Sequence, residues 1–480
     1  GTDDPNTATD ESKELIFAEL CYTAHGDSTQ RDRMIAAIVE EMYAKMQKFP
    51  ALDRISFAHM DHRHWCLCSS CKAQGNPSDN LLIFLMDVAE DLKTKLVEAG
   101  DARANTFKIC SLFYHATNAS PTGTANYTAK LQAYMKHVEP WFAESGADHI
   151  DPYYLTDAQK NTISSNNNGN NWNANVYTYL ENWKNLCNTY GADLFLWVYY
   201  SNTTSYFIPF NTFNAIRVNY GTFTDFGVDY VFNQMMESKQ DWARFKEFLM
   251  SKLAWNAHPT DAEWEAWYTE YFEGAYGPGA AGMRAYFDAW DEWTTDNVNE
   301  FRRNNSYNYT SSTDASMAKD IRSSKSLLTA SELEGWIVSI NKALDALDVS
   351  DPNYDTYRRN IMLEKLTPMY LLMYMHDSYN SSKKTFSSTT YVSKYGEEFL
   401  TWVKEWGITQ DGEGDSRKLQ PFLDAIASKG YASGDVASNQ VIADKQYINV
   451  DTAVTFSNTA LKNATYTVSG AISGTVTANA

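Results

Sequence analysis

The chain has 480 residues, of which 44% are hydrophobic and 21% charged, and its formal net charge is −20 at pH 7. This length and composition predict two or three globular domains with enough apolar side chains for sizeable cores. The acidic balance argues against nucleic acid or an anionic membrane surface as a partner, because both require basic patches. No apolar run approaches the roughly 18 residues that a membrane span needs, so no span is predicted.

Residues 1–13 are polar and are interpreted as a linker. The six cysteines are too few for a disulfide-stapled scaffold in a chain of this length. Aromatic residues make up 14% of the chain. They suit a packed core, and they also suit a carbohydrate ligand, whose C–H faces lie flat on aromatic rings.

The N-terminal half alternates between short apolar runs and amphipathic segments, which indicates strands joined by helices in a parallel sheet. The predicted strands span residues 14–23, 55–58, 107–113, 138–143, 194–199 and 228–232. The predicted helices between them span residues 29–47, 81–97, 125–135 and 174–190. A closed (β/α)8 barrel needs eight strands, so either the sheet is open or the first barrel strands lie upstream of residue 1.

From Asp241 onward the pattern becomes almost purely helical. The predicted helices there span residues 242–253, 261–276, 280–302, 331–347, 354–376, 391–406 and 417–429. Six tryptophans at helical spacing are predicted to form the core of this region: Trp242, Trp255, Trp264, Trp267, Trp290 and Trp293. The fold class is therefore α/β, and residues 14–255 form either an open parallel sheet or a (β/α)8 TIM-like barrel that is incomplete at its N-terminus. A helical region (256–430) and a small β segment (431–480) follow.

The stretch from Arg54 to Cys71, RISFAHMDHRHWCLCSSC, ends a predicted strand in a loop rich in ionisable and aromatic side chains. Asp61 lies in this loop, and Glu144 directly follows the predicted strand 138–143. Parallel strands present the loops after their carboxyl ends on one side of the sheet, so both carboxylates should project from the same face. Glycoside hydrolysis uses such a pair of carboxyl groups. The alternative is that each one caps a helix or pairs with a surface lysine, and Glu139 and Asp151 are the nearest competitors.

The same loop carries Cys66, Cys68 and Cys71, with His64 as a possible fourth metal ligand. Three cysteines and one histidine are an accepted set of ligands for a structural zinc ion. A disulfide within the loop, or buried thiols without metal, is the favoured alternative. A bound zinc ion would brace the loop that carries Asp61.

Several blocks of this sequence resemble, in order, a bacterial family catalogued as domain of unknown function 4838, which includes glycoside hydrolase family 163. The blocks are ISFAHMDHRHWCLCSSCKAQ with SDNLLIFLMDVAEDL, ICSLFYHATNASP, VEPWFAE, LFLWVYYSNTTSYFIPF, FGVDYVFNQ and YTEYFEGAYGPGAAGMRAYFDAW. They extend over roughly residues 15–290. The resemblance implies a fold similar to (β/α)8 hexosaminidases. Characterised members are endo-β-N-acetylglucosaminidases that act on complex N-glycans.

By this resemblance Glu144 is the general acid/base and Asp61 orients the substrate acetamide, whose carbonyl is the nucleophile in a retaining, substrate-assisted reaction. Position at or just beyond strand ends adds candidate substrate-binding residues, for which core packing of the aromatic side chains is the alternative. They are Tyr114, Trp197, Tyr199, Asn202 and Gln234, together with His62 beside Asp61 and Asp151. No cofactor is expected beyond the possible structural zinc ion. The expected partner is a glycan or glycoprotein.

Two positions depart from the family pattern. Met60-Asp61-His62 stands where relatives tend to have Asn-Asp-Gly, and Trp197-Val198-Tyr199 stands where they tend to have Trp-Asp-Tyr. These departures keep a second hypothesis open, a non-catalytic glycan-binding protein of the same fold. A purely structural module for surface assembly is a third. The resemblance also implies export from a glycan-using bacterium, as a secreted, periplasmic or cell-surface lipoprotein.

Overall fold

In the computed structural model, the chain is a mixed α/β protein. The structure describes residues 19–61, 65–143, 149–154, 172–202, 205–235, 239, 241–303, 325–412, 418–429, 465–468 and 474–477.

A five-stranded parallel sheet organises the N-terminal half, with its strands paired in chain order. The strands are β1 (Arg54–Ser56), β2 (Lys108–Phe113), β3 (Val138–Ala143), β4 (Phe195–Tyr199) and β5 (Tyr230–Gln234). The parallel sheet and these five strands confirm the sequence prediction.

Helices connect each strand to the next, as a parallel sheet requires. The connecting helices are α2 (Ser69–Gln74), α3 (Pro77–Glu98), α4 (Thr128–Tyr134), α5 (Trp172–Tyr190) and α6 (Phe213–Asp225), and α1 (Ser28–Lys48) precedes β1. The start of α3 is specified locally by Pro77 in its first turn and by a capping box between Asn76 and Asp79. Helices α2 and α6 were not predicted, although Phe213, Ile216 and Tyr220 have the spacing of a helix face.

The two faces of the sheet differ in burial. Side chains such as Ile55, Ile109 and Leu196 are buried in the core against the helices. The side chains that alternate with them form the opposite face, which is called the inner face below. On the inner face, Tyr230 and Phe232 of β5 are 45% and 42% exposed. Within the described part of the chain, β1 and β5 each pair on one side only, so both edges of the sheet are open.

The predicted first strand, 14–23, is wrong in its described part. Residues 19–23 form no strand and lead into a 3₁₀ turn, Ala24–Gly26. Ala24, His25 and Gly26 all have positive φ, so the backbone turns sharply where a strand would continue. Side-chain hydrogen bonds of Glu19, described below, hold this segment in place of a β ladder. Residues 14–18 and the predicted linker 1–13 lie outside the described residues.

The C-terminal half is helical, as predicted. Its helices are α7 (Ala243–Leu253), α8 (Asp261–Tyr276), α9 (Ala280–Arg303), α10 (Ala330–Asp345), α11 (Tyr354–Leu371), α12 (Thr390–Trp406) and α13 (Gln420–Lys429). A π-helical turn, Leu372–His376, follows α11.

These helices pack around a second apolar core, distinct from the core beneath the sheet. Trp242, Trp290 and Trp293 are buried in this core, and Trp264 and Trp267 pack against it. The prediction for Trp255 is wrong: this side chain is 95% exposed because it follows the end of α7.

Two short antiparallel pairs complete the described secondary structure. Strands β6 (Tyr379–Asn380) and β7 (Thr385–Phe386) lie between α11 and α12, and β8 (Thr465–Val468) pairs with β9 (Gly474–Thr477) in the predicted β segment. None of the helices described is long and apolar enough to cross a membrane.

Candidate active site at the carboxyl edge of the sheet

The segments that follow β1, β2 and β4 bring a group of polar and aromatic side chains to the carboxyl edge of the sheet. In α/β folds this edge is where ligands bind, because the loops after parallel strands converge there. Asp61 follows β1, Tyr114 and His115 follow β2, and Tyr199 ends β4.

Glu19 anchors the loop after β1 and was not recognised in the sequence. Its carboxylate is almost completely buried and accepts hydrogen bonds from Met60 N at 2.6 Å, Leu20 N at 3.0 Å and Tyr22 Oη at 3.1 Å. Burial of a carboxylate is costly unless several donors surround it, and this one has three. A charged residue inside the apolar run ELIFAELCYT was the signal that could have revealed it.

His59 is fixed between the loops that follow β1 and β2. Its Nδ1 lies 2.9 Å from Met60 O and 3.9 Å from Glu19 Oε2, and its Nε2 lies 3.1 Å from Thr117 Oγ1. The imidazole stacks on the Tyr114 ring with centroids 4.5 Å apart. His59 is therefore a buried connector between two loops, and it does not project into solvent.

Asp61 projects from this rigid base into solvent, and its side chain is 84% exposed. Its Oδ1 lies 3.5 Å from Nε2 of His115, whose backbone has a positive φ of 52°. Burial raises the pKa of Tyr114 above its ordinary value, and the charge of Asp61 and a hydrogen bond to it add to this effect. The structure thus brings Asp61 and Tyr114 together, as predicted, and adds His115 to them.

Tyr199 and Gln234 are register partners on neighbouring strands, at the carboxyl end of the inner face. The Tyr199 ring lies 5.8 Å from the imidazole of His149, which is buried. Burial lowers the pKa of His149 to about 3, so this imidazole is uncharged at neutral pH.

Trp197 lies on the inner face two residues before Tyr199 in β4, and its register partner is Ala143 of β3. Its ring packs on Phe232 of β5 with centroids 4.4 Å apart. Together with Trp141 and Phe195, which stack at 4.3 Å, it gives the inner face a continuous aromatic surface.

Two other predicted binding residues make contacts within their own loops. The Asn202 side chain accepts a hydrogen bond from Ser205 N at 3.0 Å, which fixes the loop after β4. The backbone oxygen of Asp151 accepts a hydrogen bond from Asn173 Nδ2 at 3.1 Å, and this contact ties residues 149–154 to α5.

Glu139, considered as a competitor for Glu144, belongs to a different part of the sheet. It is buried within β3, accepts a hydrogen bond from Trp141 Nε1 at 2.8 Å and pairs with Arg54 at 3.2 Å. These contacts give Glu139 a structural role on the inner face, four residues before the end of β3. Glu144, His62 and His64 lie outside the described residues, and their assignments stay predictions.

The side chains of four cysteines form a cluster next to the loop that carries Asp61. Cys66 and Cys68 precede α2, Cys71 lies in its first turn, and Cys21 packs against these three from the segment that follows Glu19. Cys21 Sγ lies 3.8 Å from both Cys68 Sγ and Cys71 Sγ. The sequence analysis grouped three of these residues and missed Cys21, which is 45 residues away from Cys66 in the chain.

A cavity of about 690 Å³ lies away from Asp61. It runs along the open edge of β5 against α6 and α7, and it includes Gln234, Met235 and Glu247 in its lining. Gln234 is therefore shared between this cavity and the carboxyl edge.

Comparison with known proteins identifies the family. The profile of the family described as Domain of unknown function (DUF4838) matches residues 7–288, more than half of the chain. The protein belongs to this family, which confirms the resemblance noted in the sequence.

No curated protein matched the chain. Among solved structures it is similar to a GH138 enzyme described as targeting pectin rhamnogalacturonan II, with a TM-score of 0.35 and 11% sequence identity. The similarity covers 73% of this chain and 47% of that one, so this chain spans about half the length of that protein.

Proposed function

We propose that the protein is a glycoside hydrolase that cleaves β-linked N-acetylhexosamine in glycans, with retention of configuration and with assistance from the substrate acetamide. The observation that carries the proposal is Asp61, which is held by the Glu19–Met60 contact at the carboxyl edge of a parallel sheet, beside Tyr114. Membership of the DUF4838 family supports it, because the blocks that carry the resemblance include this loop.

In this proposal Glu144, which directly follows the last residue of β3, protonates the leaving glycosidic oxygen. The acetamide carbonyl oxygen attacks the anomeric carbon as that bond breaks, and Asp61 stabilises the positive charge that develops on the acetamide. The Glu144 carboxylate then takes a proton from water, which opens the cyclic intermediate and restores both carboxyl groups to their starting states.

The surrounding side chains suit a sugar ring. Tyr114, Tyr199 and Trp197 would provide apolar faces, and Gln234, Asn202, Asp151 and His62 would provide polar contacts to hydroxyl groups. We further infer that the five parallel strands are part of a (β/α)8 barrel, whose inner face would be covered by strands beyond those described. Export to the periplasm, the cell surface or the medium would give the enzyme access to glycans.

The test compares Glu144→Gln and Asp61→Asn with the parent protein on a β-N-acetylglucosaminide and on a complex N-glycan. Loss of a general acid/base lowers kcat by about 10²–10⁴-fold, so we expect product formation to fall by this factor. Glu41→Gln is the matched control, because Glu41 is an exposed carboxylate on α1 whose side chain is 69% exposed. Near-parental activity of Glu144→Gln would exclude the assigned mechanism.

A non-catalytic glycan-binding protein of the same fold is the second candidate. It is favoured by the exposure of Met60, which is 59% exposed beside Asp61 at a position where relatives tend to have asparagine. Binding on a glycan array without product release by the parent protein would favour this candidate over hydrolysis.

A further inference from the structure

We propose that Cys21, Cys66, Cys68 and Cys71 form a four-cysteine site for a structural zinc ion. The site differs from the ligand set suggested by sequence, because its fourth ligand is Cys21 from a distant segment, where the sequence suggested His64. It binds a metal behind the Asp61 loop and takes no part in the proposed hydrolysis.

The spacing of the sulfurs carries this inference. Zinc binds thiolates at about 2.3 Å in a tetrahedron, so two sulfur ligands of one ion lie about 3.8 Å apart. Cys21 Sγ lies 3.8 Å from Cys68 Sγ and 3.8 Å from Cys71 Sγ. Cys66 Sγ lies within 4.8 Å of the sulfurs of Cys21 and Cys68.

The same distances argue against a disulfide. A disulfide needs two sulfurs about 2.05 Å apart, and all of the cluster's cysteines are free thiols. Pairing two of them would pull one side of the cluster together and leave the other two sulfurs as buried thiols. A sulfur that lies at ligand spacing from two others and near a third is the arrangement expected around one ion.

Backbone N–H groups donate hydrogen bonds to the sulfurs, and such bonds stabilise thiolate ligands. Cys71 N donates to Cys68 Sγ at 3.4 Å, within the Cys-x-x-Cys turn that begins α2. His25 N donates to Cys21 Sγ at 3.1 Å, and Cys68 N donates to the Cys66 sulfur. Such hydrogen bonds disperse the negative charge of a four-thiolate zinc centre.

The Thr23 hydroxyl closes one side of the cluster. Its Oγ1 lies 3.2 Å from Cys71 Sγ, 3.4 Å from Cys21 Sγ and 3.6 Å from Cys68 Sγ. Thr23, Cys66, Cys68 and Cys71 are all buried. A buried hydroxyl above three sulfurs provides a further hydrogen bond to the ligands and excludes water from that side.

His25 is the competing fourth ligand, because its ring nitrogen also lies within 4.8 Å of the sulfurs of Cys21, Cys66 and Cys68. Its side chain is exposed, whereas Cys71 is 2% exposed and already contacts the other thiols. A structural zinc site is closed to solvent and favours the buried ligand. We therefore place Cys71 in the site and leave His25 outside it.

A zinc ion here would join two segments that are otherwise held together by hydrogen bonds and by packing of Tyr22 on Trp65. Cys21 lies two residues after Glu19, Cys66 and Cys68 lie in the β1–α2 connection after Asp61, and Cys71 lies in the first turn of α2. The metal would thereby fix the base from which Asp61 projects.

The test measures zinc in the full chain, purified without chelator under reducing conditions, by elemental analysis. We expect about one zinc ion per chain, released by a mercurial that titrates thiols. Cys21→Ser and Cys71→Ser should lose the metal. His25→Ala should retain it, and so should Cys110→Ser, the matched control on the inner face of the sheet. Replacement of zinc by Co²⁺ should give the visible absorption of a tetrahedral thiolate site.

Three outcomes overturn the proposal. They are a parent protein that binds neither zinc nor Co²⁺ when reduced, a disulfide that includes Cys21 in the reduced preparation, and retention of zinc by Cys71→Ser with loss from His25→Ala. If the serine variants do not fold, the zinc content and the Co²⁺ spectrum of the parent protein still decide the question. Neither measurement depends on glycan cleavage, so the zinc proposal and the proposed function can fail separately.

Discussion

Glu19 Oε2 accepts a hydrogen bond from the backbone N–H of Met60 at 2.6 Å, across 41 residues of chain. The contact joins the N-terminal segment to the residue that immediately precedes Asp61. The position of Asp61 at the carboxyl edge therefore depends on a buried carboxylate as well as on the end of β1.

Glu19→Ala should destabilise the protein. The substitution leaves two backbone N–H groups and the Tyr22 hydroxyl without their acceptor, and each buried donor left unsatisfied costs about 1–3 kcal/mol. We expect a loss of about 2–4 kcal/mol in the free energy of unfolding, measured by chemical denaturation. Glu41→Ala on the exposed face of α1 is the control and should change stability by less than about 0.5 kcal/mol. Equal stability of the two variants would show that the Glu19 contacts contribute nothing.

The inner face offers a matched pair of tyrosines that tests where a glycan binds. Tyr199 and Tyr230 lie on adjacent strands and face the same side, but Tyr199 ends β4 whereas Tyr230 begins β5. If the proposed function holds, Tyr199→Ala should lower kcat/KM on the glycan substrate by about 10–100-fold, because an aromatic platform is lost. Tyr230→Ala should leave kcat/KM within about twofold of the parent value. A larger effect at Tyr230 would move the binding site to the other end of the sheet.

Much of the sheet could be predicted because each strand is a short apolar run between amphipathic segments. Val138–Ala143 matches its predicted bounds, and Lys108–Phe113 differs from them by one residue at its start. The segment around Glu19 has the same apolar composition and forms no strand. Its conformation comes from contacts with residues after β1, and local periodicity carries no information about such contacts.

The candidate site also contains residues that the sequence could predict and residues that it could not. Asp61 and Tyr114 could be found because they lie in the segments that follow β1 and β2. Glu19 and Cys21 could not be assigned roles, since each acts on a residue about 40 or more positions away in the chain. A buried carboxylate or a fourth thiol becomes meaningful only when the fold brings its partners to it.

Helices α9 and α10 touch closely at a glycine, which gives a test of the helical region. A Cβ atom on Gly282 would lie 2.6 Å from Ala343 N and 2.8 Å from Ala343 Cα, and backbone atoms cannot move aside easily. Gly282→Ala should therefore destabilise the protein by about 1–3 kcal/mol through overpacking.

Gly335→Ala is the control for that substitution. Gly335 lies within α10, and no atom stands within 4 Å of the place that its Cβ would occupy. Alanine there should stabilise the helix by about 0.5–1 kcal/mol. The close contact would be confirmed if Gly282→Ala lowers the free energy of unfolding and Gly335→Ala raises it, as measured by thermal or chemical denaturation. A stabilising Gly282→Ala would show that α9 and α10 are farther apart.

Glu364 predicts a pH dependence for the stability of the helical region. The side chain is buried in α11 and accepts a hydrogen bond from Trp242 N at 3.2 Å, next to Asp241 and Lys246. Burial, and then the charge of Asp241, raise the pKa of Glu364 from its ordinary value of 4.5 to about 8. Between these two values the folded state binds a proton that the unfolded state releases. This contribution to stability is therefore complete below about pH 4.5 and is lost as the pH rises to about 8.

Glu364→Gln removes this titration while its amide oxygen can still accept the hydrogen bond from Trp242. The variant should gain stability relative to the parent protein as the pH rises from 5 to 8, by at most about 1.4 kcal/mol per pH unit. The charge of Glu364 also raises the pKa of Lys246, so the difference between the two proteins at each pH reports Glu364 together with its coupling to this lysine. The exposed Glu397 supplies the control, because Glu397→Gln should run parallel to the parent protein at every pH. A constant difference between parent and Glu364→Gln in urea denaturation across this range would mean that Glu364 is ionised in the folded protein, and that Lys246 and Arg244 compensate its burial.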